Sequence, residues 1–283
     1  MQKVKDIRVY LKSCLAAQYP DAELRGFNNW ILEYLFGFTS TDALLNADKP
    51  LSAKNSLDLE SIISELKQEK PIQQILGYSW FYGHKFLINK FVLIPRPETE
   101  ELVDWILKDA PNKKTILDVG TGSGCIPITL SLNSTAKVSS LDVSKKALLQ
   151  AKINTKTLKA SVHFIEADVL TIDCLNQLGF YDIMVSNPPY VLESDKKMMA
   201  KNVLDNEPHI ALFVPNNDAL KFYIAIADIA SKRLNPNGFL YFEIHENYGV
   251  ATLEMLKAKG FTALELRKDL QGKDRMVKAV WKS

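Results

Sequence analysis

The spacing of apolar residues divides this chain into a helical first part and a strand-and-helix alternation after it. From Val4 to Leu76 apolar positions recur three and four residues apart, as in Ile7, Tyr10, Leu11, Cys14 and Leu15, which collects them on one helix face. Further helices are predicted over 22–36, 41–45 and 57–68, punctuated by Pro20, Gly37 and Pro50, with Ser40, Asp42 and Ser56 as N-caps. The pattern then changes. Residues 77–94 are aromatic and glycine-punctuated, which predicts a β-hairpin with Asn89-Lys90 as its turn. Pro95 and Pro97 break regular structure and open a helix reaching 107. Buried strands follow at 115–119, 138–142, 162–168 and 182–187, then a strand at 238–244, a helix over 250–259 and an antiparallel pair at 261–267 and 276–281. The predicted organisation is a helical domain over 1–76, a hairpin linker over 77–94 and an α/β domain over 95–283.

Composition fits that frame. A chain of 283 residues is long for one domain, and 47% hydrophobic with 24% charged residues is a globular composition. The start is charged and no run of membrane-spanning length follows, so the expectation is a cytoplasmic protein without a secretory signal or a membrane segment. Cys14, Cys125 and Cys174 lack ligand-like spacing, and the histidines are equally scattered, so neither a disulfide nor a metal site is expected. A net charge of +2 argues against a protein that grips a nucleic acid backbone along its length, and no direct nucleic acid requirement is expected.

The candidate chemistry sits at strand ends. Asp118-Val119-Gly120-Thr121-Gly122-Ser123-Gly124 joins a buried strand to a helix through alternating glycines, where backbone N–H groups and bare Cα atoms let a nucleotide-like ligand approach. A dinucleotide fingerprint would place its third glycine at Cys125, so the loop suits a cofactor with a ribose and a charged amino-acid tail but no pyrophosphate. Asp142 closes the second strand 20 residues beyond Gly122, placed for ribose hydroxyls, and Asp168 closes the third, placed for an adenine amine. Asn187 closes the fourth. Such polar strand ends in sequence order predict S-adenosylmethionine as the cofactor. In Asn187-Pro188-Pro189-Tyr190 the prolines stop the strand, and Pro189 has no N–H to occupy the Asn187 side chain or the Pro188 carbonyl. Both oxygens are left to accept from a planar NH2 group, with Tyr190 as a flat face. Arg96, held between two prolines, and Glu98 in the first helical turn are candidates for a wall of the substrate cleft.

These residues resemble the peptide chain release factor glutamine N5-methyltransferases of the HemK or PrmC type. The resemblance rests on Ile94-Pro95-Arg96-Pro97-Glu98-Thr99-Glu100, on Asp118 through Ile126, on Ser186-Asn187-Pro188-Pro189-Tyr190 and on Glu207-Pro208-His209-Ile210-Ala211-Leu212, and it extends over nearly the whole chain. It implies a Rossmann-like domain with a seven-stranded sheet, preceded by a small helical bundle that helps recognise a class I release factor; separately, a monomer is expected. The implied substrate is the glutamine of that factor's Gly-Gly-Gln loop, and the by-product is S-adenosylhomocysteine. By position, Gly120, Thr121, Gly122, Ser123, Gly124, Asp142, Asp168 and Val169, with Asn187, would hold the cofactor. Asn187, Pro188, Pro189 and Tyr190, with Arg96 and Glu98, would face the substrate. The chain departs from the pattern in having Val169 where a bulky aromatic is common, Val214-Pro215-Asn216-Asn217-Asp218-Ala219 for a glycine-rich segment, and His245 after Glu243-Ile244 where glycine is usual.

The expected chemistry uses no general base before transfer. An amide nitrogen is a poor nucleophile because its lone pair is delocalised. Acceptance of both its hydrogens by Asn187 and Pro188 favours a pyramidal nitrogen, and Tyr190 adds a π face near the cationic centre. The alternatives are methylation of the ribosomal protein L3 glutamine, methylation of a nucleic acid amine such as adenine N6 after base flipping, and cofactor binding without catalysis.

Overall fold

The computed structural model describes residues 3–171 and 173–282. It divides into two compact units, Met1–Gly77 with Ala200–Asn206, and Tyr78–Met199 with Glu207–Ser283. The first contains α1 (Ile7–Leu15), α2 (Asp21–Phe36), α3 (Ser40–Leu45), α4 (Ala53–Lys67) and α5 (Ile72–Leu76). Leu11, Leu15, Ile31, Leu59 and Leu66 meet in its core with no measurable exposure. Its caps lie upstream of the expected ones. Thr39 and Asp42 form a reciprocal capping box at α3, and Ser52 caps α4, four residues before Ser56. Ser56 instead donates to the Ser52 carbonyl at 3.1 Å. A Ser-x-x-Asn start reads as helix onset only when the residues after it are counted as helical, and their polar composition hides that.

The second unit begins with a hairpin, β1 (Tyr78–Phe81) and β2 (His84–Leu87). Its turn is Tyr82-Gly83, both at positive φ (49° and 75°), and not Asn89-Lys90. Two positive φ values match the twist of a two-residue hairpin turn. Asn89 serves otherwise: its side chain accepts from the Phe91 N–H and donates to Gln150.

Then come α6 (Pro97–Asp109), β3 (Thr115–Val119), α7 (Cys125–Asn133), β4 (Lys137–Asp142), α8 (Lys145–Leu158), β5 (Val162–Glu166), α9 (Asp173–Asn176), β6 (Tyr181–Ser186) and β7 (Val191–Leu192). After α10 (Lys201–Asn206), which belongs to the first unit, the chain continues through β8 (Phe213–Val214), α11 (Lys221–Arg233), β9 (Leu234–Glu243), α12 (Gly249–Ala258), β10 (Thr262–Lys268) and β11 (Asp274–Trp281). The main sheet has seven strands in the order β10-β11-β9-β6-β3-β4-β5, parallel except for β11. Side chains alternate between its faces. Leu117, Met184, Leu240 and Phe242 join one core with Tyr223 and Ile226 of α11, whereas Ile116, Ile183, Val185 and Tyr241 join another with Leu102 and Ile106 of α6. A sheet buried on both faces leaves only its strand ends for ligands.

Candidate active site

Strand order reverses between β3 and β6, and the register pairs Val119 with Ser186. The Ser186 hydroxyl donates to the Val119 carbonyl at 2.6 Å, so the residues that follow, Gly120 and Asn187, emerge side by side. A cavity of about 310 Å³ opens there. Its walls include Gly120, Gly122, Asp142, Asp168, Val169, Asn187, Pro188 and Pro189 from the sequence-derived site. Ile210 and Ala211 of the Glu207 segment that carries the resemblance line it too, and unforeseen walls are Phe91, Val92 and Leu93 after the hairpin and Phe222 and Ile226 of α11. Phe91 and Phe222 supply the aromatic surface that Val169 does not.

The glycine loop divides by role. Gly120, Gly122 and Gly124 all have positive φ (86°, 53° and 84°). A Cβ on Gly122 would meet nothing within 4 Å, and the nearest atom to one on Gly120 would be the Asn187 carbonyl oxygen at 4.0 Å, so two bare Cα atoms face open space. Gly124 is different. A Cβ there would meet Ile128 Cδ1 at 2.8 Å and Ala151 Cβ at 3.1 Å, so this glycine lets α7 pack against α8. Thr121 and Ser123 are buried, and neither they nor Gly124 line the cavity. Thr121 bonds the Ser140 hydroxyl and the Leu141 carbonyl, and the Ser123 carbonyl accepts from Asn154 Nδ2 at 2.8 Å. Asn154 also takes both main-chain groups of Leu87, which ties the hairpin end to the loop.

Asp142 accepts from the Gly122 N–H at 2.9 Å and the Ser144 N–H at 2.8 Å, one on each oxygen, which leaves each oxygen a further lone pair. Asp168 is braced by the Leu170 N–H at 2.9 Å. Beneath the loop, Ser140 donates to Asp118 Oδ2 at 2.6 Å, and Asp118 Oδ1 has no partner among the described residues. Burial pushes that carboxyl up to about 7.

Asn187 is held from behind. Its Nδ2 donates to Thr99 Oγ1 at 3.2 Å, and Thr99 donates to Glu243 Oε2 at 2.6 Å. The Tyr190 hydroxyl reaches the other Glu243 oxygen at 3.3 Å. Tyr190 does not line the cavity; its ring meets His245 edge-on at 5.9 Å. Burial and the Glu243 charge push its phenol up, so it stays a donor. Arg96 is committed to Glu207, whose carboxyl is fully buried and also accepts from the Ile94 N–H at 3.1 Å. Glu98 accepts from Gln271 at 3.4 Å. Neither Arg96 nor Glu98 lines the cavity.

Residues 98–211 match a family model described as Methyltransferase small domain, and residues 6–77 one described as PrmC N-terminal domain. The chain is 43% identical over 281 residues to the release factor glutamine methyltransferase of Flavobacterium psychrophilum, an alignment covering 97% of this chain and 98% of that protein. This chain belongs to the release factor glutamine methyltransferase family. The same name is carried by a Bacteroides thetaiotaomicron relative, 43% identical over 274 residues with 96% and 98% coverage. A solved methyltransferase from Pyrococcus furiosus shares the fold, with a TM-score of 0.54 at 14% identity over 78% of this chain and 98% of that one.

In this methyltransferase, Gly124→Ala is expected to lower unfolding stability by about 2 kcal/mol, from left-handed strain plus overpacking. Urea denaturation of the pair measures it, and an unchanged midpoint would remove the packing role.

Proposed function

We propose that this chain transfers a methyl group from S-adenosylmethionine to the side-chain amide nitrogen of the glutamine in the Gly-Gly-Gln loop of class I peptide chain release factors. The observation that carries this reading is Asn187, which stands at the sheet's reversal point with its own NH2 tied to Thr99 and its oxygen left over. A group so presented accepts an NH2 and repels a carbonyl. The cofactor, when bound, supplies an electrophilic methyl on a sulfonium. The cavity suits it in having two bare glycines, a doubly braced Asp142 for vicinal hydroxyls and Asp168 beside apolar walls.

Asn187 Oδ1 and the Pro188 carbonyl accept the two glutamine hydrogens and turn the nitrogen lone pair toward the methyl. With the cofactor bound, its sulfonium would supply the methyl group and retain the electron pair of the broken S–CH3 bond as the N–CH3 bond forms, and the proton left on the glutamine nitrogen would go to water. Thr121, Ser123 and Gly124 serve the cofactor through the shape of the loop, and Arg96 serves the cleft through Glu207. Glu98, one residue before Thr99, serves the substrate outside the cavity, Tyr190 acts from behind Asn187, and the helical unit helps recognise the release factor. The enzyme acts as a monomer in the cytoplasm, where its substrates work.

Label from methyl-labelled S-adenosylmethionine is expected on an intact release factor. None is expected on a copy with the Gly-Gly-Gln glutamine changed to alanine, on ribosomal protein L3 or on duplex DNA. Transfer to L3 or DNA alone would retain the chemistry and overturn the substrate.

A further inference from the structure

We infer that Thr99 and Glu243 are positioning residues that decide which end of the Asn187 amide faces the cavity; the inference rests on the glutamine-methylating reading of that site. Thr99 is 2% exposed and Glu243 1%, on α6 and at the end of β9. An ionised carboxylate only accepts. Glu243 Oε2 therefore takes the Thr99 proton, and the Thr99 oxygen turned toward Asn187 is left as an acceptor. Only the NH2 end of the Asn187 amide fits an acceptor, so Oδ1 is the end presented to substrate. Tyr190, donating to the second Glu243 oxygen, supports the same ionised form.

A proton on Glu243 reverses the chain of donors. The carboxylic acid donates to Thr99, the Thr99 hydroxyl is freed to donate to Asn187 Oδ1, and the amide turns its NH2 toward the cavity. Donor then faces donor, and the glutamine amide is no longer held.

The groups facing Glu243 are Tyr190 after β6, Arg275 of β11, Glu98 of α6, Cys125 of α7 and Tyr223 of α11, whose hydroxyl donates to the Glu243 main-chain oxygen at 3.3 Å. Burial pushes the carboxyl up to about 7, against the pull of Thr99, Arg275 and Tyr190. Turnover should therefore fall as pH drops through about 7, where the carboxylate is lost.

The test is steady-state release factor methylation by wild type, Thr99→Val, Thr99→Ser and Glu243→Gln across the neutral range, with cofactor affinity and thermal unfolding measured alongside. Thr99→Val should lower kcat by about tenfold or more with cofactor Kd within about twofold, and Thr99→Ser should restore most of it. Glu243→Gln should lose the acid-side decline. A Thr99→Val enzyme within about twofold of wild-type kcat, or an acid limb that survives Glu243→Gln, overturns the inference. Turnover, affinity and melting that fall together in Thr99→Val without rescue by serine would reduce the pair to a structural role and overturn it too. Failure of the substrate reading looks different: wild type itself would bind cofactor and label no release factor. The Asn187 side-chain NH2 resonances then decide, because they should shift in Thr99→Val and stay in Thr99→Ser, and an unchanged spectrum sinks the inference without reference to any substrate.

Discussion

Replacing Asn187 by alanine is expected to lower kcat for release factor methylation about 100- to 1,000-fold while the Kd for S-adenosylmethionine stays within about threefold. The expectation follows from where its polar atoms are spent. Its nitrogen is tied to Thr99, and its oxygen is the group proposed to meet the substrate. Removing that oxygen withdraws an acceptor that strengthens as positive charge develops on nitrogen, so the loss falls on the transition state more than on either bound partner. The cofactor contacts proposed above fall on other cavity residues, Gly120, Gly122, Asp142 and Asp168. Single-turnover kinetics with saturating cofactor, beside calorimetric titration, separate the two effects. Parallel losses in kcat and affinity would make Asn187 a cofactor residue instead.

Much of this site was legible because strand ends are short-range signals. Asp142, Asp168 and Asn187 each follow a short β-prone segment, and such a segment that stops at a polar residue marks a strand's carboxyl end without knowledge of its neighbours. The glycine loop was legible for the same reason, but only as a set. Sequence cannot tell that Gly120 and Gly122 face space while Gly124 faces Ala151, because that depends on how α8 packs.

Long-range partners were the part that stayed hidden. Thr99 and Glu243 lie 144 residues apart, and Ile94 and Glu207 113 apart, so no local pattern joins them. Thr99 reads as an ordinary residue in a helix's first turn, and Glu243 as a polar strand end like others. What marks them is burial: a carboxylate at 1% exposure must be hydrogen-bonded, and its partners identify the group it serves. Apart from the motif at 207–212, the stretch from 191 to 233 was opaque for another reason. Strands of two residues, β7 and β8, show no alternation, and α11 follows a loop of polar residues whose composition gives no fixed start.

Arg96 shows how a residue with a functional look can act through structure. Its charge between two prolines suggests a substrate anchor, yet the guanidinium is spent on Glu207, whose carboxyl is inaccessible to solvent. Arg96→Ala would leave that carboxylate buried with the Ile94 N–H as its remaining hydrogen-bond donor among the described residues, and the expected loss is about 3 kcal/mol of unfolding free energy, since orphaning a buried charge costs more than the pair contributes. Because Ile210 and Ala211 line the cavity just beyond Glu207, the same variant should also raise the KM for both substrates. Adding Glu207→Gln to Arg96→Ala removes the orphaned charge and should return at least about 1 kcal/mol, a coupling that a double-mutant cycle in urea reads directly. If Arg96 were instead a direct substrate contact, Arg96→Ala would unfold at the wild-type midpoint and lose activity alone, and Glu207→Gln would restore nothing.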